Sequence, residues 1–189
     1  MRIGVLGGTF DPPHLGHLAI AEFTQSQLAL DLILFVPAMP WQKEAVASAD
    51  IRAHLTALAI ETHNDWQMSA VDLERGGPTY TVDTLRDLQK QWPDAEIWFI
   101  VGADAANGID SWKHANELKA SAHFAILTRP RHNVSVPSGL SFQLVEGETP
   151  DVSSTAIRDA VRAGATTEEL CAMVPRAVAE FIITSRLYS

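Results

Sequence analysis

The sequence predicts an α/β fold: a doubly wound parallel sheet with helices on both faces, followed by a helical C-terminal segment. Three observations carry this. Short apolar runs alternate with stretches of helical periodicity, the pattern of strand–helix–strand units. The strand candidates are apolar runs bounded by glycine or proline, as expected for buried strands. From Ser153 onward every segment reads helical. The 189 residues (20.6 kDa) suit a single domain, residues 1–189. A chain of this length buries roughly 70% of its unfolded surface, enough for a core without staples.

The elements follow in order. Residues 3–6 form an apolar run that ends at Gly7-Gly8, a buried strand entering a loop. Residues 15–28 have helical periodicity. Residues 32–36 are a second buried strand, stopped by Pro37 and Pro40. Residues 50–62 are helical, with Ile51, Leu55, Leu58 and Ala59 on one face. Residues 68–73 read as a strand, and 82–91 as a helix that ends before Pro93. Residues 96–101, EIWFIV, are β-branched and aromatic and give the strongest strand signal. Residues 112–120 read helical, 124–127 as an apolar strand, and 141–145 alternate like a strand. Three helices close the chain: 155–163, ended by Gly164; 167–173; and 175–185, with proline in the first turn. The loops 37–48 and 128–139 hold most of the irregular composition and are candidate binding segments.

Composition narrows the function classes. Lysine and arginine number 14 and aspartate and glutamate 23, a formal net charge of −9. That field has the wrong sign for coating nucleic acid or an anionic membrane, though a small anion can still bind in a local pocket. The single cysteine, Cys171, excludes an intramolecular disulfide and a cysteine-based zinc site and is compatible with a reducing compartment. The opening MRIGVLGGTFDP has too short an apolar run for a secretory leader, and no stretch approaches a membrane span. The expectation is a cytoplasmic protein.

The first chemical signal is Gly7-Gly8-Thr9-Phe10-Asp11-Pro12-Pro13-His14-Leu15-Gly16-His17, directly after the first strand. Paired glycines let backbone N–H groups approach a phosphate closely. The spacing is neither G-x-G-x-x-G nor a P-loop, which disfavours a hydride-transferring dehydrogenase. His14 and His17 lie three apart, on one helix face, with Gly16 leaving room for a ligand beside the backbone. Imidazoles at a helix start can donate hydrogen bonds to phosphate oxygens. Taken alone, H-x-x-H also fits two surface histidines or part of a metal site. The whole string GGTFDPPHLGH resembles the H-x-G-H signature of the nucleotidyltransferase superfamily, and in particular its bacterial nicotinate-mononucleotide adenylyltransferases. The resemblance implies a Rossmann-like sheet. It also implies that His14 and His17 bind ATP phosphates and stabilise the transition state, with Gly7, Gly8, Thr9 and Phe10 beside the nucleotide.

Glu74-Arg75-Gly76-Gly77-Pro78-Thr79-Tyr80-Thr81-Val82-Asp83-Thr84-Leu85 forms a tight turn that opens a helix. Thr79 or Thr81 is placed to cap that helix, and the hydroxyls and free N–H groups there could also grip a carboxylate. The string resembles the segment with which nicotinate-mononucleotide adenylyltransferases recognise the nicotinate ring and its carboxylate, which implicates Thr79, Tyr80 and Thr81. Trp112 sits in the polar stretch Asp110-Ser111-Trp112-Lys113-His114, where core packing is less expected. The resemblance assigns it to stacking on the pyridine ring. Lys43 ends Pro40-Trp41-Gln42-Lys43, where the family commonly has Pro-Pro-His and then a basic residue. Lys43 is expected on the mononucleotide phosphate.

On the ATP side, Gly102-Ala103-Asp104 follows the strongest strand. Asp104 can accept ribose hydroxyl bonds or cap the next helix, and the resemblance places Gly102 and Asp104 on the adenosine. Ser153-Ser154-Thr155-Ala156-Ile157-Arg158 begins a helix, an anion site to which Arg158 adds a forked donor. It resembles the superfamily's second signature, (I/V)-S-S-T-x-I-R, with Val152 in first place, which holds the ATP triphosphate.

Together these imply transfer of AMP from ATP to nicotinate mononucleotide by direct in-line attack, without a covalent intermediate. His14, His17 and Arg158 are the expected catalytic residues. The alternative is a superfamily member that takes nicotinamide mononucleotide. Mg²⁺ is the implied cofactor, with no metal ligand assigned. No nucleic acid polymer or membrane partner is expected, and an oligomer is compatible with the sequence. The resemblance assigns His14, His17, Lys43, Arg158 and at least two helix starts to one crevice, so a positive pocket on a negative surface is expected.

Overall fold

Side chains alternate across the strands and so divide the core into two layers. The computed structural model describes residues 1–40, 45–128, 136 and 138–189. Among these, the strands are β1 (Arg2–Gly8), β2 (Leu32–Pro37), β3 (Trp66–Met68), β4 (Glu96–Gly102), β5 (His123–Thr128) and β6 (Phe142–Glu146). They form one sheet in the order β3-β2-β1-β4-β5-β6, with every pairing parallel. The helices are α1 (Leu15–Leu28), α2 (Ala49–Ile60), α3 (Val71–Arg75), α4 (Thr81–Gln91), α5 (Ala103–Ala106), α6 (Ala115–Ser121), α7 (Ser154–Arg162), α8 (Thr167–Leu170) and α9 (Arg176–Thr184).

Ile33 and Phe35 of β2, with Trp98 and Ile100 of β4, face one layer. There they meet Leu18 and Ala21 of α1, Leu55 of α2, Ile157 of α7 and Ile182 of α9. Leu32, Leu34, Ile97 and Phe99 face the other layer and meet Val82, Leu85, Leu88 and Leu118 of α4 and α6. Parallel strands need crossovers, and the crossovers cover both faces. The chain lays its strands outward from β1 in one direction and then, from β4, in the other. The order therefore reverses between β1 and β4, where sheets of this kind open a crevice outside the strand ends.

Several sequence expectations shift here. Residues 68–73 are not a strand. β3 ends at Met68, and Val71–Arg75 turns into α3. The reason is tertiary: Asp72, 1% exposed, accepts hydrogen bonds from Thr84 at 2.7 Å and from Arg75 at 2.5 Å, which a continuing strand could not arrange. The helix expected from residue 112 starts at Ala115. Trp112 instead lies on extended backbone after a 3₁₀ turn at Ile109–Ser111, and the left-handed His114 (φ 53°) separates it from α6. Gly7-Gly8 belongs to β1, paired with Val36 and Pro37, rather than to the following loop. Pro175 is the N-cap of α9 rather than a residue of its first turn.

Candidate active site

The crevice at the switch point has a volume of about 430 Å³. One wall is Gly7, Gly8 and Thr9 from the end of β1, with His17 from α1. The opposite wall is Thr79, Thr81, Thr84 and Trp112, with Asp72 behind them. Val101 and Gly102 at the end of β4 and Ala105 of α5 form the floor and rim.

His14 is the N-cap of α1, in extended backbone, and His17 follows one turn later. The His14 backbone N–H donates to His17 Nδ1 at 3.2 Å. With Nδ1 accepting, the neutral ring carries its proton on Nε2, so His17 faces the crevice as a hydrogen-bond donor. The two rings lie 3.7 Å apart between centroids. Burial holds the His17 pKa at about 3, helped by repulsion from His14, and burial alone holds His14 at about 4. Both are therefore neutral near pH 7. Gly16 favours this arrangement: a Cβ there would lie 3.0 Å from His14 Nδ1, so the ring would have to give by a few tenths of an ångström. The space beside Gly16, expected for a ligand, is filled by the His14 ring. Phe10 can reach a nucleotide only through its backbone. Its ring is buried and packs on His17 at 5.0 Å and Phe35 at 5.8 Å, so it supports the site from beneath.

The second signature segment docks onto the first loop. Ser153 caps α7 and accepts from Ala156 N at 3.2 Å. The Ser154 hydroxyl donates to Pro12 O at 2.8 Å. Arg158 Nη1 donates to Asp11 O at 2.7 Å and Nη2 to Thr155 Oγ1 at 3.2 Å. Segments about 145 residues apart thus meet at one helix-start pair, where bare N–H groups favour an anion.

On the other wall, Gly76 and Gly77 both take φ 70°, the turn that glycine permits and other residues resist. Neither threonine caps α4 by its side chain; the N-cap is Tyr80. Thr79 instead clamps the exit of β2: its hydroxyl accepts from Met39 N at 2.8 Å and its N–H donates to Met39 O at 3.0 Å. Thr81 opens α4 and lines the crevice. Trp112 packs edge-on against Phe99 at 6.3 Å. Lys113 sits 4.3 Å from the Tyr80 ring centre and pairs with Asp83 at 2.9 Å. Gly102 is at the rim, while Asp104 is exposed in the first turn of α5 and does not cap it. Lys43 lies outside the described residues.

The expected positive pocket is not what the described lining shows. It contains no lysine or arginine, one carboxylate in Asp72, and an imidazole held neutral. Two of the expected cationic groups, His14 and Arg158, are not among the lining residues, Lys43 lies outside the described ones, and desolvation keeps His17 uncharged.

Sequence reasoning gave no role to Asp11, Arg52, Asp72, Thr84 or Tyr188, all of them buried. Arg52, 1% exposed, donates Nη1 to Thr9 O at 2.7 Å and to Ala38 O at 2.8 Å, joining the ends of β1 and β2. An arginine on a helix reads as solvated, so its sequence carries no such signal. The i,i+3 pair Asp72–Arg75 is the one local clue to α3.

Among described residues no helix is long and apolar enough to cross a membrane. Residues 5–160 match the family described as Cytidylyltransferase-like. A protein of Leifsonia xyli subsp. xyli named "Probable nicotinate-nucleotide adenylyltransferase" is 45% identical over 99% of this chain and 94% of its own length. One of Saccharopolyspora erythraea with the same name is 44% identical over 99% and 89%. The fold matches Plasmodium falciparum nicotinic acid mononucleotide adenylyltransferase complexed with NaAD, at TM-score 0.80 and 17% identity, over 99% of this chain and 97% of that one. Full-length identity at this level shows that the chain belongs to the nicotinate-nucleotide adenylyltransferases of the cytidylyltransferase-like family.

Proposed function

We propose that the protein transfers AMP from ATP to nicotinate mononucleotide, releasing pyrophosphate and forming nicotinate adenine dinucleotide in NAD biosynthesis. One observation carries the reading. A single crevice holds the glycine-and-histidine wall at one end and the Thr79–Trp112 wall at the other. That fits two nucleotides whose reacting phosphates meet between them.

The acceptor phosphate is its own nucleophile, because its second pKa of about 6 leaves it largely ionised near pH 7. The chain then needs no general base and no covalent intermediate. Its task is to position the two phosphates and stabilise developing charge. The neutral His17 donates from Nε2 to the α-phosphate, and His14 serves the triphosphate. The start of α7, with Ser153, Ser154 and Thr155, receives the triphosphate together with the N–H groups of Arg158 left over from its bonds to Asp11 and Thr155. Gly7, Gly8, Thr9 and the backbone at Phe10 border the nucleotide, while Gly102 and Asp104 take the adenosine. Thr9 and Lys43 serve the mononucleotide phosphate, Thr79, Tyr80 and Thr81 the nicotinate, and Trp112 stacks on its ring. Backbone donors and a helix start favour the acid over the neutral amide.

Mg²⁺ is proposed as the companion of the triphosphate. Among the described residues no group of three or more carboxylate, imidazole or thiol side chains could hold a metal ion, so no step here is routed through it. A cytoplasmic location and a single domain, 1–189, complete the proposal. The bond from Tyr188 back to Asp11 supports the domain assignment.

The test is Mg·ATP with each acceptor in turn, reading pyrophosphate. Release with nicotinate mononucleotide and much weaker release with nicotinamide mononucleotide is expected. Equal efficiency with the two would sink the acid preference and favour the nicotinamide reading.

A further inference from the structure

Asp11 joins three distant parts of the chain. Its Oδ1 accepts from the Tyr188 hydroxyl at 2.8 Å and from Ala47 N at 3.1 Å, and Oδ2 accepts from Val46 N at 2.6 Å. Its carbonyl accepts from Arg158 at 2.7 Å. The residue is 4% exposed, and Tyr188 is 6% exposed. A carboxylate buried this deeply is costly unless its lone pairs are met, and here three donors meet them.

The tail approaches the same loop at a second point, where Met173 O accepts the N–H of Leu15, the first residue of α1. After α9 the chain turns through left-handed backbone at Arg186 (φ 52°) and Tyr188 (φ 70°). Residues other than glycine adopt that region rarely, and hold it where their surroundings over-determine it. The turn brings the penultimate side chain inward to Asp11. Burial and the nearby Asp11 carboxylate push the Tyr188 hydroxyl well above its ordinary pKa, so it remains a donor at every working pH.

Neither Asp11 nor Tyr188 lines the crevice. Thr9 and His17, which do, flank Asp11 in the chain. Asp11 is two residues after Thr9 and precedes His14 and His17, and Arg52 holds Thr9 from the other side.

We infer that Asp11 and Tyr188 are positioning residues: the C-terminal tail is a latch that, through the Asp11 carboxylate, holds the loop carrying His14 and His17 in its catalytic arrangement. This rests on the crevice being the nucleotidyl-transfer site. Groups that act by placement lose rate steeply when displaced, about 10²-fold for a shift of about 1 Å. They lose little ground-state binding by comparison.

The test uses the full chain. Tyr188→Phe keeps the ring and removes only the hydroxyl. Val178→Ala, in α9 and buried in the same core layer, is the control for stability loss without loss of the latch. Two readouts are taken: steady-state pyrophosphate release, and the imidazole NMR signals of His14 and His17 without substrate. For Tyr188→Phe, kcat is expected to fall about tenfold with both KM values within about twofold, and both ring signals to move. Val178→Ala is expected to lower Tm at least as much, with kcat and ring signals unchanged. The latch is overturned if Tyr188→Phe leaves kcat within about twofold and the ring signals in place. It is equally overturned if Val178→Ala lowers kcat in the same proportion to Tm. Should the unaltered chain release no pyrophosphate, the reading of the site fails, while the ring signals still decide the latch.

Discussion

The histidine wall is held by bonds that reach up to 177 residues along the chain, from Tyr188 to Asp11. On the opposite wall the ties are shorter in span: Arg75 to Asp72 three residues away, Thr84 to Asp72 and Arg75 to Asp87 twelve, Lys113 to Asp83 thirty, and Met39 to Thr79 forty. The first wall has half-buried imidazoles held neutral, with buried Phe10, Asp11 and Arg52 in the surrounding loops. The second carries an exposed Gly76-Gly77 turn and ion pairs open to water, such as Lys113–Asp83. The contrast follows from the work proposed for each. Stabilising charge that develops in a transition state needs donors already fixed in low dielectric. Recognising a ring needs a shaped surface, which a turn and a helix start can provide.

The largest expected effect tests the histidine wall. His17→Ala should lower kcat by about 10²-fold or more, as for loss of one transition-state donor. Steady-state kinetics would place the transition-state donor elsewhere if the loss were under about threefold. Next is the open wall. Trp112→Ala should raise KM for nicotinate mononucleotide about tenfold, worth about 1.4 kcal/mol, and leave KM for ATP within about twofold. A matching rise for ATP would mean that the two walls do not divide the substrates.

The smallest effect concerns stability against pH. His14 and His17 are held below the ordinary value of 6.5, at about 4 and about 3. The unfolded chain therefore binds more protons in that window. Their contribution is complete above pH 6.5 and drains as pH falls toward 4 and then 3. On the open wall, the bond from Lys113 holds Asp83 below 3.8, and bonds from Lys90 and then Arg75 do the same for Asp87. Their contribution is lost only below that value. Thermal melts should show Tm falling by several degrees between pH 6.5 and 4. His17→Gln should make that decline shallower, and an unchanged slope would show that the buried histidine does not set it.

Much of this was legible in the residues. The run EIWFIV of β4 and the apolar run of β2 are buried strands because little else suits those side chains. The Gly76-Gly77 turn and the Ser153 cap follow from local chemistry that spans four residues. Trp112 was singled out from its polar setting, and it lines the crevice, but its extended backbone was not legible, because it depends on a 3₁₀ turn and a left-handed His114. Residues 68–73 read as a strand because Val71 and Leu73 alternate with polar neighbours. What decides against it is the pull of Thr84 and Arg75 on Asp72.

The parallel α/β sheet, the family, and the short strings proposed to carry the chemistry are thus legible in the residues alone. Each depends on periodicity or on neighbours a few positions apart. The charge state of the histidines and the partners of Asp11, Arg52 and Tyr188 follow from the packed chain and not from local sequence. Desolvation is a property of everything packed around a group, and the tyrosine that completes the Asp11 carboxylate lies 177 positions away.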